Sequence, residues 1–250
     1  MQRRIFLKSL GASLLWTPTA FALGDDDRFN VGLLKYEGNY NPRPTAIRRL
    51  LLETEKVTNI RVNTDDLVLT LDNKKIWDNP MLIWAGDRKF APLSDGDIAA
   101  LRRYLQAGGM LVVDSNEGLE DGLFLQSVKR DLARVFPDKK LARIPRDHVL
   151  YKSFYLIDTP QGRLGVSDNL TGIWDEERVS VIISPNDMLG AWARDNFGNW
   201  LYECSPGGER QRDFAFRLGV NLVMYAVCIN YKADQVHIPF ILGRRKWKVD

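Results

Sequence analysis

The chain is poor in the residues that most often carry chemistry. Its 250 residues include two cysteines and two histidines. Two thiols, Cys204 and Cys228, do not make the framework of bridges that staples small secreted domains. One bridge is open to them in an oxidising compartment, but Cys228 lies in an apolar helical run where a buried free thiol is common, and two free thiols are expected. A metal centre needs about three or four converging N, S or O ligands. No spaced His/Cys cluster exists, so no metal is expected. G-x-G-x-x-G, haem motifs and cysteine clusters are missing as well, and no cofactor is expected. Charge of one sign is equally scarce. The first 22 residues hold three of the 35 basic residues and none of the 32 acids, which leaves the remainder formally neutral. A neutral body has no general pull on phosphates, which argues against nucleic acid as a partner. The one basic cluster, Arg244-Arg245-Lys246-Trp247-Lys248, reads as a solvated tail, with an anionic lipid surface or a partner as the alternative. Finally, no run is long and apolar enough for a span of about 20 residues. The mature chain is expected to have no transmembrane span.

What is present begins with the leader. Residues 2–8 read Gln-Arg-Arg-Ile-Phe-Leu-Lys, followed by a modestly apolar stretch from Ser9 to Thr19 and then Ala20-Phe21-Ala22. A positive start, an apolar middle and small residues at a cleavage site are the marks of an export signal. Arg3 and Arg4 followed by Phe6, Leu7 and Lys8 resemble the twin-arginine signal, with Gln2 in place of the usual Ser or Thr. The alternative is an ordinary secretory leader. The expectation is a periplasmic protein that meets the twin-arginine translocase during export and is cut near Ala22, at the Ala20-Phe21-Ala22 site.

Beyond the leader, elements alternate. Residues 29–36 (FNVGLLKY) predict a first strand, and Thr45 is placed to cap a helix running to about Lys56. Short strands are expected at 59–62 and 67–71. The clearest unit spans 80–115. Pro80 to Gly86 is a continuous apolar strand, as in a sheet buried on both faces. Ser94 and Asp97 start a helix, Gly108-Gly109 end it, and Met110 to Val113 is the next strand. Strand–helix–strand implies parallel pairing. Phe124, Val128, Leu132 and Phe136 predict a helix stopped by Pro137. Residues 179–184 predict a strand, 185–208 a long loop, and 209–229 a long helix. The expected fold is one α/β domain over 23–250, flavodoxin-like, with a mostly parallel sheet and helices on both faces.

Several stretches carry a family likeness: LKYEGNYNPRP (34–44), LSDGDIAALRRYLQAGGMLVVD (93–114), IPRDHVLYKSFY (144–155), SPNDMLGAWARDN (184–196) and 208–242. Together they resemble the bacterial family called domain of unknown function 4159. That resemblance implies a fold of the class I glutamine-amidotransferase type and no established activity. It also implies a loose association with envelope proteins. An amidotransferase needs a thiolate at a tight strand-to-helix turn and a His base oriented by an acid. The corresponding turn here reads Asp114-Ser115-Asn116 and has no Cys. Neither His148 nor His237 begins a His-x-Glu pair. The triad is therefore not present.

Other candidates follow from position. Open α/β sheets bind ligands at the carboxyl ends of their strands, which makes Asp114, Ser115, Asn116 and Glu117 the first ligand-facing cluster. Ser115 lacks the glycines of a nucleophile elbow. Asp147 and His148 offer an acid–base pair, although neighbours on extended backbone point apart. Trp192, Arg194, Asp195 and Asn196, with Trp200 and Trp174, suit sugar stacking; the competing reading packs these rings onto the domain. Arg210, Asp213, Arg217 and Asn221 form a polar stripe on the long helix. It is read either as a solvated or salt-bridged face or as a pocket wall.

Three functions compete. The first is an exported, non-catalytic module that binds envelope proteins or a small polar ligand such as a carbohydrate. The second is a periplasmic hydrolase of glycan or peptide material using carboxylates near Asp114. Glycoside cleavage would need two acids about 5–10 Å apart in one cleft. The third is a cofactor-loaded redox protein, supported only by the export route.

Overall fold

The apolar run Met81 to Gly86 has no charged side chain and no polar atom on its side chains but the Trp84 indole N–H, and such a strand is stable only between two covered faces. The computed structural model describes residues 28–233, with side chains through Val227, and puts this run third in a seven-stranded sheet, with a strand paired on either side. The strands are β1 (Val31–Leu34), β2 (Leu67–Leu69), β3 (Met81–Gly86), β4 (Met110–Ser115), β5 (Ala142–Arg143), β6 (Thr171–Asp175) and β7 (Arg178–Ser184). Their order is β2-β1-β3-β4-β7-β6-β5. The first five in that order run parallel, β6 pairs antiparallel with β7, and β5 pairs antiparallel with β6. The parallel part has the flavodoxin-like order.

Alternation along the strands builds two cores. Met81, Ile83 and Ala85 of β3, with Met110 and Val112 of β4, face one layer, while Leu82, Trp84, Leu111 and Val113 face the other. The first layer is α1 (Ala46–Val57), α4 (Met188–Trp192) and α5 (Gly208–Ala233); the second is α2 (Asp95–Gln106) and α3 (Leu123–Val135). Trp84 is fully buried. Burying one large side chain of this kind stabilises the fold by roughly 1.5–3 kcal/mol. The first layer packs closely enough to demand a glycine: a Cβ on Gly219 of α5 would lie 2.4 Å from Leu50 and 2.7 Å from Trp192. Gly108 ends α2 at φ 111, a conformation that favours glycine.

Most elements lie where the sequence places them, and the differences have causes. Ser94 caps α2 as expected, its Oγ accepting from Asp97 N–H at 3.1 Å. Thr45 stands at the N-cap position of α1, as expected, but its side chain makes no cap bond. It sits at φ 69, and its hydroxyl instead donates to Arg194 O at 2.7 Å and accepts from Arg194 N–H at 3.2 Å. The stretch 185–208 is not all loop, for it contains α4, a helix too short to show a periodic pattern. The hairpin partner β6 was also missed, because Thr171-Gly172-Ile173-Trp174-Asp175 is short and opens among loop residues. The leader residues, including Arg3, Arg4, Phe6, Leu7, Lys8, Ala20 and Ala22, lie outside the described residues, as do His237, the side chain of Cys228 and the basic cluster at 244–248. Cys204 is a buried free thiol. No helix among the described residues is long and apolar enough to cross a membrane.

Candidate functional site

Strands β4 and β7 pair in parallel with Asp114 opposite Ser184, so their carboxyl ends bring two turns together. The chain after β7 reads Ser184-Pro185-Asn186-Asp187-Met188 and passes straight into α4. Asp187 makes that turn in the left-handed region, at φ 54 and ψ 59. Asp and Asn tolerate this conformation better than other side chains do. Its carboxylate caps α4 by accepting from Gly190 N–H at 3.0 Å. The first N–H groups of α4 go elsewhere: those of Met188 and Leu189 donate to Asp114 Oδ1 and Oδ2 at 2.8 and 2.9 Å. Two carboxylates from two strands thus meet the start of one short helix.

Four further donors tie the pair. Asn116 Nδ2 bridges them, donating to Asp114 Oδ2 at 2.9 Å and to Asp187 Oδ1 at 2.6 Å. Arg43 donates through Nε and Nη2 to Asp187, the latter at 2.8 Å. Arg163 donates through Nε to Asp187 Oδ2. Both guanidinium groups lie over the Tyr202 ring, at 4.3 and 5.8 Å from its centre. Asp187 is wholly buried, while Arg43 and Arg163 keep side-chain exposures of 13% and 22%. Burial, and then the negative charge of Asp187, push the Asp114 carboxyl up from its ordinary 3.8 to about 8, against the pull of its three N–H donors.

This arrangement is a joint: its carboxylate oxygens are committed, and of its buried side-chain atoms only the Asn116 oxygen is without a partner. Each oxygen of Asp114 and of Asp187 already accepts at least one hydrogen bond, and neither residue is exposed to solvent. Ser115 is also fully buried, with Oγ 3.4 Å from Glu117 Oε2. Glu117 in turn accepts from Phe124 N–H at 3.0 Å, satisfying one of the free donors at the start of α3. Asn186 fastens the neighbouring segment: it accepts from the N–H groups of Val166 and Ser167 and donates to the carbonyls of Pro160 and Ser167.

The first sequence cluster is therefore assembled, around a partner that the residue types alone did not single out. Arg43, Arg163, Tyr202 and Asp187 were missed. Asp187 had a legible signal, an Asp between a strand and an apolar turn of helix, the position of an N-cap. Nothing local marks Arg43 and Arg163, which are 144 and 24 residues away from Asp187.

The remaining candidates lie apart from this joint. Asp147 is exposed. His148 caps a 3-10 turn over 149–152, its Nδ1 accepting from Leu150 N–H at 3.2 Å, and its ring lies edge-on to Tyr225. Trp192 is fully buried in the first core layer and has no face for a sugar. Two guanidinium groups lie over the Trp200 ring, Arg194 at 3.6 Å and Arg212 at 4.2 Å from its centre. Packing, not sugar stacking, thus occupies these rings. Asp195 closes a tight turn by accepting from Phe197 and Asn199 N–H, and Asn196 is exposed at that turn. The stripe on α5 divides. Arg217 pairs with Asp213 at 2.8 Å on the surface. Asn221 is buried, accepts from Phe154 and Tyr155 N–H, and donates to Leu150 and Tyr155 carbonyls. It clamps the 150–155 segment.

Among the described residues no group of three or more His, Cys, Asp or Glu side chains is placed to hold a metal ion. A comparison with curated proteins finds no match. A family model described as domain of unknown function (DUF4159) matches residues 30–227, a span running from β1 into α5. On that match the chain belongs to the DUF4159 family.

Proposed function

We propose that the chain is a non-catalytic binding module that acts in the bacterial periplasm after export by the twin-arginine route. One observation carries the first half of this reading. At the strand ends, where an enzyme on this fold would hold its reactive group, Asp114, Ser115 and Asp187 are wholly buried and their polar atoms are engaged by the protein itself. Nucleophilic catalysis needs an atom that reaches the substrate and a base that activates it. General acid–base work needs a group within hydrogen-bond reach of its proton. The leader motif at Arg3 and Arg4 supports the second half.

The module reading predicts no turnover when purified mature protein is incubated with muropeptides and with activated ester and glycoside substrates. Turnover abolished by Ser115→Ala or Asp114→Asn would overturn it in favour of the hydrolase. Export is checked separately. Replacing Arg3 and Arg4 together by Lys should leave the full-length precursor in the cytoplasm, and unchanged processing of that variant would contradict the twin-arginine assignment.

A further inference from the structure

Five tryptophans have described side chains, and four of them are buried or partly covered. Trp84 and Trp192 are in the core, and Trp174 and Trp200 are partly covered. The fifth, Trp77, is 50% exposed. It stands on a groove of about 580 Å³ whose floor is Leu71, Ile76 and Ala100 and whose rim carries Asp72, Lys74, Asp97 and Arg103. That volume falls in the range of about 300–1,000 Å³ typical of small-ligand sites.

The walls of this groove are fixed. On one side, a 3-10 turn, Lys74–Asp78, is capped by Asn73, whose Oδ1 accepts from Lys75 N–H at 2.9 Å. The turn is closed by buried Asn79, which donates to Lys75 O at 2.6 Å and accepts at its own carbonyl from Tyr104 Oη at 2.8 Å. Tyr104 also lies against the Trp77 ring, with centres 6.4 Å apart. The other wall is the capped start of α2, anchored by Arg134, which donates to Leu93 O and to Asp95. The turn that carries the indole is therefore held in place, and Trp77 is half exposed before any ligand arrives, which lowers the ordering cost of binding.

The chemistry of the rim points to one ligand class. An exposed indole offers a flat apolar face. Around it are two carboxylates that accept and two cations that donate, so the rim has no net charge. A strongly charged ligand would meet as much repulsion as attraction. A neutral polyhydroxylated ring suits both parts: its axial C–H face covers the indole, and its hydroxyls bond the carboxylates and the Lys74 and Arg103 donors. Resting on the binding-module reading above, we infer that the Trp77 groove is a binding site for a neutral oligosaccharide, such as the glycan strand of an envelope polymer.

The test is calorimetric titration of mature protein with chitotriose, a neutral amino-sugar trimer. Two variants report on the groove. Trp77→Ala removes the stacking face. Gly96→Trp adds bulk to the groove lining, at a position where an added Cβ comes no closer than 3.6 Å to Ser94 Oγ. Saturable binding weakened about tenfold or more by both variants, with their melting curves little changed, supports the inference. Binding of equal strength in both variants overturns it and leaves the module reading standing. Failure of the unmodified protein to bind the trimer also overturns it. Hydrolysis of the trimer would instead overturn the module reading, so the two failures are distinguishable.

Discussion

The joint between β4 and β7 and the groove at Trp77 are both built of aspartates, cations and an aromatic ring, yet they are opposites in one respect. At the joint every carboxylate oxygen is occupied and solvent is excluded. At the groove Trp77 is half exposed and the rim faces solvent. Polar groups that bond one another in a dry interior specify a fold, because breaking any one leaves an unpaired buried group. Polar groups held in water beside an apolar face keep their bonding capacity for a ligand. The residue types alone cannot distinguish the two cases. Burial does.

The contrast is broken most sharply at Asp187. Asp187→Ala removes the acceptor shared by Arg43, Arg163, Asn116 and the start of α4. It should cost about 3–5 kcal/mol, as when one partner of a buried ion pair is lost, read from equilibrium unfolding in urea. A loss under about 1 kcal/mol would mean that the joint is not structural. Asn221→Ala comes next. It leaves the carbonyls of Leu150 and Tyr155 and the N–H groups of Phe154 and Tyr155 without their partner. The expected loss is about 1–3 kcal/mol, with faster hydrogen exchange at 150–155.

The third prediction concerns pH. The folded Asp114 carboxyl binds its proton up to about pH 8, whereas the unfolded one releases it near 3.8. Between those values the folded state holds the extra proton. The contribution of this group is therefore full below about pH 4 and is lost as pH rises toward 8. In Asp114→Asn that slope should vanish, at the expense of an amide placed against N–H donors. A parent curve rising through this range at Asp114's expense, seen by subtracting the variant, would reverse the sign. The smallest effect is at the groove: Trp77→Ala should change stability by no more than about 1 kcal/mol, since the residue is already half exposed.

The fold was legible where local pattern and burial agree. The 80–115 unit could be read because Met81–Gly86 is uniformly apolar and because Ser94 and Gly108 mark the helix ends. Thr45 misled, because a backbone contact from Arg194, 149 residues away, took the hydroxyl that local rules assign to the helix. The site was half legible. Asp114, Ser115 and Asn116 follow from strand-end position, but their burial depends on Arg43 and Arg163 arriving from distant loops. Trp77 carried no signal beyond being a tryptophan in a polar segment. Its exposure is a property of the α2 surface it leans on.

The contrast itself is most directly tested by two-dimensional amide NMR of the mature protein during titration with chitotriose. Progressive shifts should gather at residues 72–77 and 94–103 and leave Asp114, Asn116 and Asp187 in place. Shifts concentrated at those three residues instead would show that the strand ends open to ligand, and would contradict the account.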